Sequence, residues 1–193
     1  TGDESMVNAS PFEKDGHFYY NQKINCLRAE GEVNYKGKTY IFNPEDSFGV
    51  LDWGRGVWTY KNTWFWSSLN AKIGNHEVGF NLGYGFGDTS AASENMLFYD
   101  GKAYKLEDVT FNILKDEKGK YKLMDKWTFT SKDGSINLEF TPIIDRKDCT
   151  DILVIKSLQH QVFGRFNGKI KIGEIEAEIT DAISFAEVVT NWW

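Results

Sequence analysis

The chain has 193 residues, only three prolines and an aromatic content of 16%, which together favour one domain of pleated, half-buried strands over helices. Its formal net charge is −6 and its charges are dispersed, so we expect no nucleic acid partner, because binding to phosphate backbones needs a clustered excess of Lys and Arg. No apolar run approaches the roughly 18 residues of a membrane-spanning helix, and we expect no membrane span.

Residues 1–15 have little apolar content, so we expect a disordered or connecting segment there and a single domain over residues 16–193. The strongest local signal in that domain is turn chemistry. Four glycine-containing dipeptides separate alternating apolar runs, and they suit the positive φ angles of type I′ turns. They are Lys36-Gly37, Asp100-Gly101, Asp133-Gly134 and Asn167-Gly168. Successive hairpins of this kind predict an antiparallel sheet.

The stretch from Ser47 to Asn95 is rich in tryptophan and glycine, and we expect any active surface to centre on it. Its residues 78–86 alternate with the strand period of two, which places Asn81 among glycines on one face. The opposite, apolar face holds Val78, Phe80, Leu82, Tyr84 and Phe86. Glycines in a strand permit a close approach, either by a large aromatic side chain or by a ligand. Trp64 and Trp66 share one face of the preceding run and could fill this space in either case.

Asp52 and Arg55 lie three residues apart among glycines and indoles, and we predict an ion pair between them. The pair could be structural, pinning a corner of the fold. Alternatively, Arg55 recognises an anion or carbonyl group while Trp58 stacks on the ligand.

A small polar loop follows the glycine-rich strand. Asp88, Glu94 and Asn95 are candidate ligand-binding residues there, because loops at a barrel mouth often carry the polar groups that orient a ligand. Capping of a hairpin by Asp88 is the alternative interpretation.

Residues 151–166 predict one long strand that bends near Gly164, as barrel strands do. His160 alternates with apolar residues in this strand and should face the interior. It is either a core histidine with its hydrogen bonds satisfied or a general acid or base. Arg165 is a further candidate ligand-binding residue. Residues 181–189 form a short turn or a final strand.

The sequence contains neither residues with the spacing of zinc ligands nor a nucleotide-binding motif, so we expect no metal and no cofactor. The acidic row Glu174, Glu176 and Glu178 alternates with apolar residues and therefore predicts a solvated strand face. Cys26 and Cys149 are far apart. As free thiols they indicate a cytoplasmic protein, with a single disulfide as the alternative.

Several segments in order resemble the family catalogued as domain of unknown function 2804, and the resemblance covers roughly residues 22–193. They are Phe48–Trp58, Asn81–Gly83, Asp88–Asn95, His160–Gly164, Phe185–Glu187 and Asn191-Trp192. The resemblance implies the C-terminal part of a longer protein, with a barrel of the calycin or lipocalin type. Its partner would be the missing N-terminal part of the same protein or a second copy.

We therefore predict an all-β, antiparallel, hairpin-rich barrel of the lipocalin or calycin type that binds a small, mostly apolar molecule. The ligand would lie against Trp58, Trp64 and Trp66, with Asn81 and Arg55 fixing its polar end. A hydratase, isomerase or lyase acting on a hydrophobic substrate is the alternative, with Asp52 or His160 moving the proton. A structural or interaction domain is the third possibility.

Overall fold

The computed structural model describes residues 3–193, so the first two residues of the predicted connecting segment lie outside it. Within the described range the chain is built from β-strands. They are β1 Met6–Pro11, β2 Phe18–Arg28, β3 Gly31–Tyr35, β4 Lys38–Phe42, β5 Phe48–Val57, β6 Lys61–Ile73, β7 His76–Tyr84, β8 Met96–Tyr99, β9 Lys102–Lys105, β10 Val109–Asn112, β11 Trp127–Ser131, β12 Ile136–Ile152, β13 Ile155–Ile172 and β14 Ile175–Trp192. Among residues 3–193, no helix has the length and apolar character that a membrane crossing requires.

The strands form one large and two small antiparallel sheets. The large sheet has nine strands in the order β10-β11-β12-β13-β14-β6-β7-β8-β9 and curls into a half-barrel. Strands β1, β2 and β5 form a three-stranded sheet, and β3 pairs only with β4. The predicted all-β, antiparallel, hairpin-rich fold is confirmed, with a half-barrel in place of a fully closed barrel.

The hydrophobic core lies on the inner face of the curled sheet. The strand period of two directs Val78, Phe80 and Leu82 of β7 to this face, and all three are at most 1% exposed. Large aromatics from neighbouring strands complete the core: Trp127, Phe129, Phe140 and Phe166. Because each such side chain contributes about 1.5–3 kcal/mol when it is fully buried, most of the folding free energy comes from this face.

Three of the four predicted turns are confirmed, at Lys36-Gly37, Asp100-Gly101 and Asp133-Gly134. The fourth was wrong, because Asn167-Gly168 lies inside β13 at a shift of register with β14. Gly168 has a φ of 129° and approaches the Asn137 carbonyl so closely that a Cβ would clash there. The glycine therefore serves a bulge, and the turn between β13 and β14 falls at Gly173, whose φ is 56°.

Two segments differ from their predictions, and a third matches one of its two predicted alternatives. The predicted disordered or connecting segment 1–15 contains β1, which pairs with β2. The predicted long strand 151–166 is interrupted by a turn at Leu153, whose φ is 51°, so β12 ends and β13 begins within it. Residues 181–189 belong to the final strand, β14, which confirms the second alternative. The predicted solvated row is exposed, with Glu174 just before β14 and Glu176 and Glu178 at its start.

The three-stranded sheet covers part of the face of the large sheet that lies opposite the core. Its own outer face is apolar and exposed, with relative exposures from 37% for Tyr20 to 52% for Val57. The other members are Val7, Phe18, Leu51 and Trp53. An apolar surface of this kind is typical of an interaction site, so it supports the expected partner, which stays a prediction.

Candidate functional site

A cavity of about 300 Å³ lies between the three-stranded sheet and the large sheet. It combines aromatic walls with a few charged and amide groups. The lining residues are Tyr19, Lys23, Asp52, Gly54, Trp58, Asn62, Trp64, Trp66, Phe86, Glu94, Asn191 and Trp193. Ligand sites in proteins typically have this composition, and a cavity of this size is at the lower end of their range.

The aromatic walls centre on Phe86. Its ring centroid lies 4.8 Å from that of Tyr19, 5.2 Å from that of Trp64 and 5.9 Å from that of Trp58. Phe86 had been predicted on the core face with Tyr84, and this was wrong. Strand β7 ends at Tyr84, and Gly85 adopts a φ of 97°, which redirects the chain toward the cavity.

Lys23 supplies a cation at the floor of the cavity. The residue is only 4% exposed, and its ammonium contacts the Asp52 carboxylate directly across the β2–β5 pair. Its Nζ lies 3.8 Å from Glu94 Oε2 and 4.5 Å from the centroid of the Trp66 ring. A buried ammonium needs such partners, because removing it from water is costly.

The predicted ion pair between Asp52 and Arg55 is therefore wrong. Residues three apart on a strand point to opposite faces of the sheet, so Asp52 faces the cavity and Arg55 faces outward. Arg55 is exposed and pairs in register with Tyr20 on the outer face. It does not line the cavity.

Glu94 is held in place by a chain of hydrogen bonds from Trp66 and Asn81. Trp66 Nε1 donates to Asn81 Oδ1 at 2.7 Å, and Asn81 Nδ2 donates to the Glu94 carbonyl at 2.9 Å and to Oε2 at 3.3 Å. Burial raises the pKa of the Glu94 carboxyl, while Lys23 and the Asn81 hydrogen bond oppose that rise. Asn81 is fully buried, so it positions Trp66 and Glu94 instead of reaching a ligand.

The glycine face around Asn81 makes room for side chains other than those predicted. A Cβ on Gly83 would lie 2.6 Å from Glu94 Oε1, and one on Gly79 would lie 2.8 Å from Cys26 Sγ. A carboxylate and a thiol therefore fill the space that had been assigned to a large aromatic side chain or a ligand. The ligand cavity lies beside this face, on the far side of Trp66 and Glu94.

A second, half-buried carboxylate lies behind the indoles. Glu187 Oε1 accepts a hydrogen bond from Trp64 Nε1 at 3.0 Å, and Oε2 accepts one from Gln161 at 3.4 Å. Burial raises the pKa of Glu187 as well, and these hydrogen bonds oppose the rise. Trp64 and Trp66 are thus each fixed by a hydrogen bond on the indole nitrogen.

The comparisons with known proteins identify a family over the whole chain. The model of the family described as "Domain of unknown function (DUF2804)" matches residues 1–193. The chain belongs to this family. No curated protein matches this DUF2804 chain in a sequence search.

Two solved structures are similar to the DUF2804 chain: the crystal structure of CghA with Sch210972 and the crystal structure of CghA. Each is 10% identical in sequence with a TM-score of 0.43, and the alignments cover 99% and 98% of this chain. The chain spans 62% and 61% of the length of those two chains.

Of the residues predicted for the site of the DUF2804 chain, the structure brings five together around the cavity. They are Asp52, Trp58, Trp64, Trp66 and Glu94. Asn95 lies close behind them, but its side chain is buried and accepts a hydrogen bond from the Gly83 amide at 2.8 Å, so it is a structural residue. Asp88 is exposed, and its carboxylate accepts a hydrogen bond from the Ser90 amide in a local turn. Arg165 forms an ion pair with Asp181 at 2.7 Å.

His160 lies on the inner side of the large sheet, as its alternation with apolar residues predicted. Its Nδ1 is 2.7 Å from Asp145 Oδ2, at a groove of about 540 Å³ beside Tyr121 and Val188. Asp52 belongs to the sheet that covers the opposite face. The two residues that had been considered for proton transfer are therefore on opposite sides of the large sheet and cannot share one site.

Three residues that line the cavity were not predicted from the sequence: Lys23, Tyr19 and Phe86. The signal for the first two is the polar row Asn21, Lys23 and Asn25 of β2, which alternates with Tyr20, Gln22 and Ile24. A polar row of this kind normally predicts a solvated face, but here all three residues are at most 5% exposed. Only the pairing of β2 beneath the large sheet reveals that the row faces inward.

Replacing Trp66 with phenylalanine should lower the free energy of unfolding by about 1 kcal/mol, because the buried Asn81 Oδ1 then loses its donor. Urea denaturation monitored by circular dichroism measures the change. Trp53→Phe is the matched control, since that indole is 44% exposed on the outer face. Equal stabilities for the two variants would show that the Trp66–Asn81 hydrogen bond has no net effect.

Proposed function

We propose that this chain binds a small, mostly apolar molecule in the cavity between its two sheets. The observation that supports it is the composition of the cavity: rings of Tyr19, Trp58, Trp64 and Phe86 surround a space of about 300 Å³. Such walls remove apolar ligand surface from water, which is the main favourable term in binding ligands of this kind. The groups at Lys23 would orient the polar end of the ligand.

The cavity walls are rigid, which also supports the proposal. Trp64 and Trp66 each have a hydrogen-bonded indole nitrogen, and Tyr19 packs over Gly54, where a Cβ would clash with its ring. A site whose side chains are already ordered loses less entropy when a ligand binds. Cys26 and Cys149 are free thiols, and they support a cytoplasmic location as part of the proposal.

A panel of fatty acids, terpenoids and aromatic alcohols should include compounds that shift or quench the intrinsic tryptophan fluorescence. For a compound that responds, Trp58→Ala should weaken the affinity about tenfold, because one wall of the cavity is lost. Isothermal titration calorimetry measures this affinity without relying on the removed fluorophore.

Trp53→Ala is the matched control for that experiment. Trp53 is 44% exposed and Trp58 is 37% exposed, but only Trp58 lines the cavity. Trp53→Ala should therefore leave the affinity unchanged. A panel without any response, or equal losses of affinity in the two variants, would contradict binding in this cavity.

A further inference from the structure

The charges around the cavity are unequal in number. Asp52 and Glu94 line it and Glu187 lies directly behind Trp64, whereas Lys23 is the one cationic side chain among the lining residues. The ammonium of Lys23 contacts Asp52 and lies 3.8 Å from Glu94. The Asp52 side chain is still 37% exposed and therefore accessible from the cavity. Lys105 donates to the Ser93 and Asn95 carbonyls on either side of Glu94 and is a second cation near this cluster, so three carboxylates face two ammonium groups.

The walls themselves can attract a cation. The face of an aromatic ring carries partial negative charge, and a cation within about 6 Å of the ring centroid is stabilised by about 0.5–2 kcal/mol. One ring of this cavity already holds such a contact, since Lys23 Nζ lies 4.5 Å from the centroid of the Trp66 ring. The rings of Tyr19, Trp58 and Phe86 line the same cavity.

A buried hydrogen-bond acceptor lies next to the cavity, at Asn21, which pairs in register with the lining residue Gly54. Asn21 is 2% exposed, and its Oδ1 has no hydrogen-bond partner among the described residues. Because side chains alternate along β2, Asn21 lies on the same face as Tyr19 and Lys23, which both line the cavity. An unpaired buried acceptor is costly, and the N–H group of a protonated amine would relieve that cost, whereas a quaternary ammonium would interact only with the rings and the carboxylates.

We propose, on the basis of the proposed binding function, that the ligand is a cation: a small amine or quaternary ammonium compound with apolar substituents. Its charged nitrogen would lie among the aromatic faces near Asp52, and its apolar part would fill the rest of the cavity. An anionic ligand would instead add a further negative charge beside Asp52 and Glu94, which repels it.

Choline and 3,3-dimethylbutan-1-ol test whether the ligand's positive charge matters, because the two molecules have the same shape. Choline has a charged quaternary nitrogen where the alcohol has a neutral carbon. Benzyltrimethylammonium and neopentylbenzene are the corresponding larger pair. We expect each cation to bind at least about tenfold more tightly than its neutral partner at low ionic strength, measured by calorimetry and tryptophan fluorescence.

The outcomes separate this inference from the function on which it rests. Equal or tighter binding of the neutral compounds overturns the charge preference and leaves a binding site for apolar molecules. If no member of either pair binds, the charge preference is also overturned, and the wider panel of neutral compounds then decides whether the cavity binds ligands at all.

Asp52→Asn should reduce the affinity for the cations about fivefold and leave the affinity for the neutral partners unchanged. Asp151→Asn is the control, because Asp151 is exposed and does not line the cavity. If Asp52→Asn fails to fold, Glu187→Gln tests the same charge excess from behind Trp64. A cation affinity that is the same in the folded variant and the wild type would contradict a role for these carboxylates.

The pH dependence gives an independent readout. Burial raises the pKa of Glu94, which faces the charges of Lys23, Asp52 and Lys105, so a bound cation should favour the ionised carboxylate, release protons and bind more tightly as the pH rises. Calorimetry in buffers of different ionisation enthalpy measures the proton release. Proton uptake, or an affinity that falls as the pH rises, would indicate that the ligand is a neutral molecule that accepts a hydrogen bond from protonated Glu94. Either result would overturn the proposal.

Discussion

Replacing Lys23 with methionine should lower the free energy of unfolding by about 3 kcal/mol. Methionine keeps most of the volume of the side chain but removes the ammonium from between Asp52 and Glu94. Breaking a buried ion pair costs about 3–5 kcal/mol because it leaves an uncompensated charge. The lower end applies here, since Asp52 is 37% exposed to water and Glu94 can take up a proton.

Urea denaturation at neutral pH measures this loss, and Lys72→Met provides the matched control. Lys72 pairs with Glu45 at 3.7 Å, but its side chain is 36% exposed and that of Glu45 is 87% exposed. Pairs of this kind contribute about 0–1 kcal/mol. A loss for Lys23→Met no greater than that for Lys72→Met would show that the cluster at the floor of the cavity does not stabilise the fold.

The all-β fold could be predicted because the information for it is local. The turns at Lys36-Gly37 and Asp133-Gly134 each depend on a few adjacent residues. The alternation of apolar and small or polar side chains along β7 identifies its buried face directly. The pairing of β14 with β6, which places Glu187 opposite Trp66, could not be predicted, because it joins residues more than a hundred positions apart. No turn signal connects such strands.

The rule that apolar faces point inward fails in the three-stranded sheet, and this explains why β1 and Lys23 were missed. Asn8 and Ser10 of β1 are 7% and 2% exposed, whereas the intervening Val7 is 51% exposed. The same inversion places Lys23 inside and Tyr20 outside in β2. Polar side chains of β1 and β2 face the large sheet, so the usual relation between hydropathy and burial is reversed in these two strands.

The candidate site could be predicted in part, since five of its residues were predicted from one tryptophan-rich and glycine-rich stretch. These residues all fall within Ser47 to Asn95 and line the cavity: Asp52, Trp58, Trp64, Trp66 and Glu94. The ion pair assigned to Asp52 was wrong because a spacing of three brings side chains together on a helix but separates them on a strand. Knowledge of β5 as a regular strand would have placed Arg55 on the outer face.

Glu94→Gln should remove a contribution that lowers the stability of the wild-type protein as the pH rises. Burial raises the pKa of Glu94 in the folded state above its ordinary value of 4.5, so the folded protein holds this proton more tightly than the unfolded chain. Stability therefore falls as the pH rises from about 4.5 through the folded pKa, by at most about 1.4 kcal/mol per pH unit for one proton. Glutamine cannot ionise and removes this contribution.

Unfolding free energies measured between about pH 5 and pH 8 test the sign, because the wild-type values should decline more steeply than those of Glu94→Gln. Glu187 has a pKa raised by the same cause, so the double variant Glu94→Gln/Glu187→Gln should be flatter still. The exposed carboxylate of Glu174 supplies the control, and Glu174→Gln should follow the wild type. Parallel curves for Glu94→Gln and the wild type would mean that the buried carboxyl does not titrate with folding. In that case Lys23 and Asn81 compensate fully for its burial, and the cavity presents a fixed negative charge throughout this range.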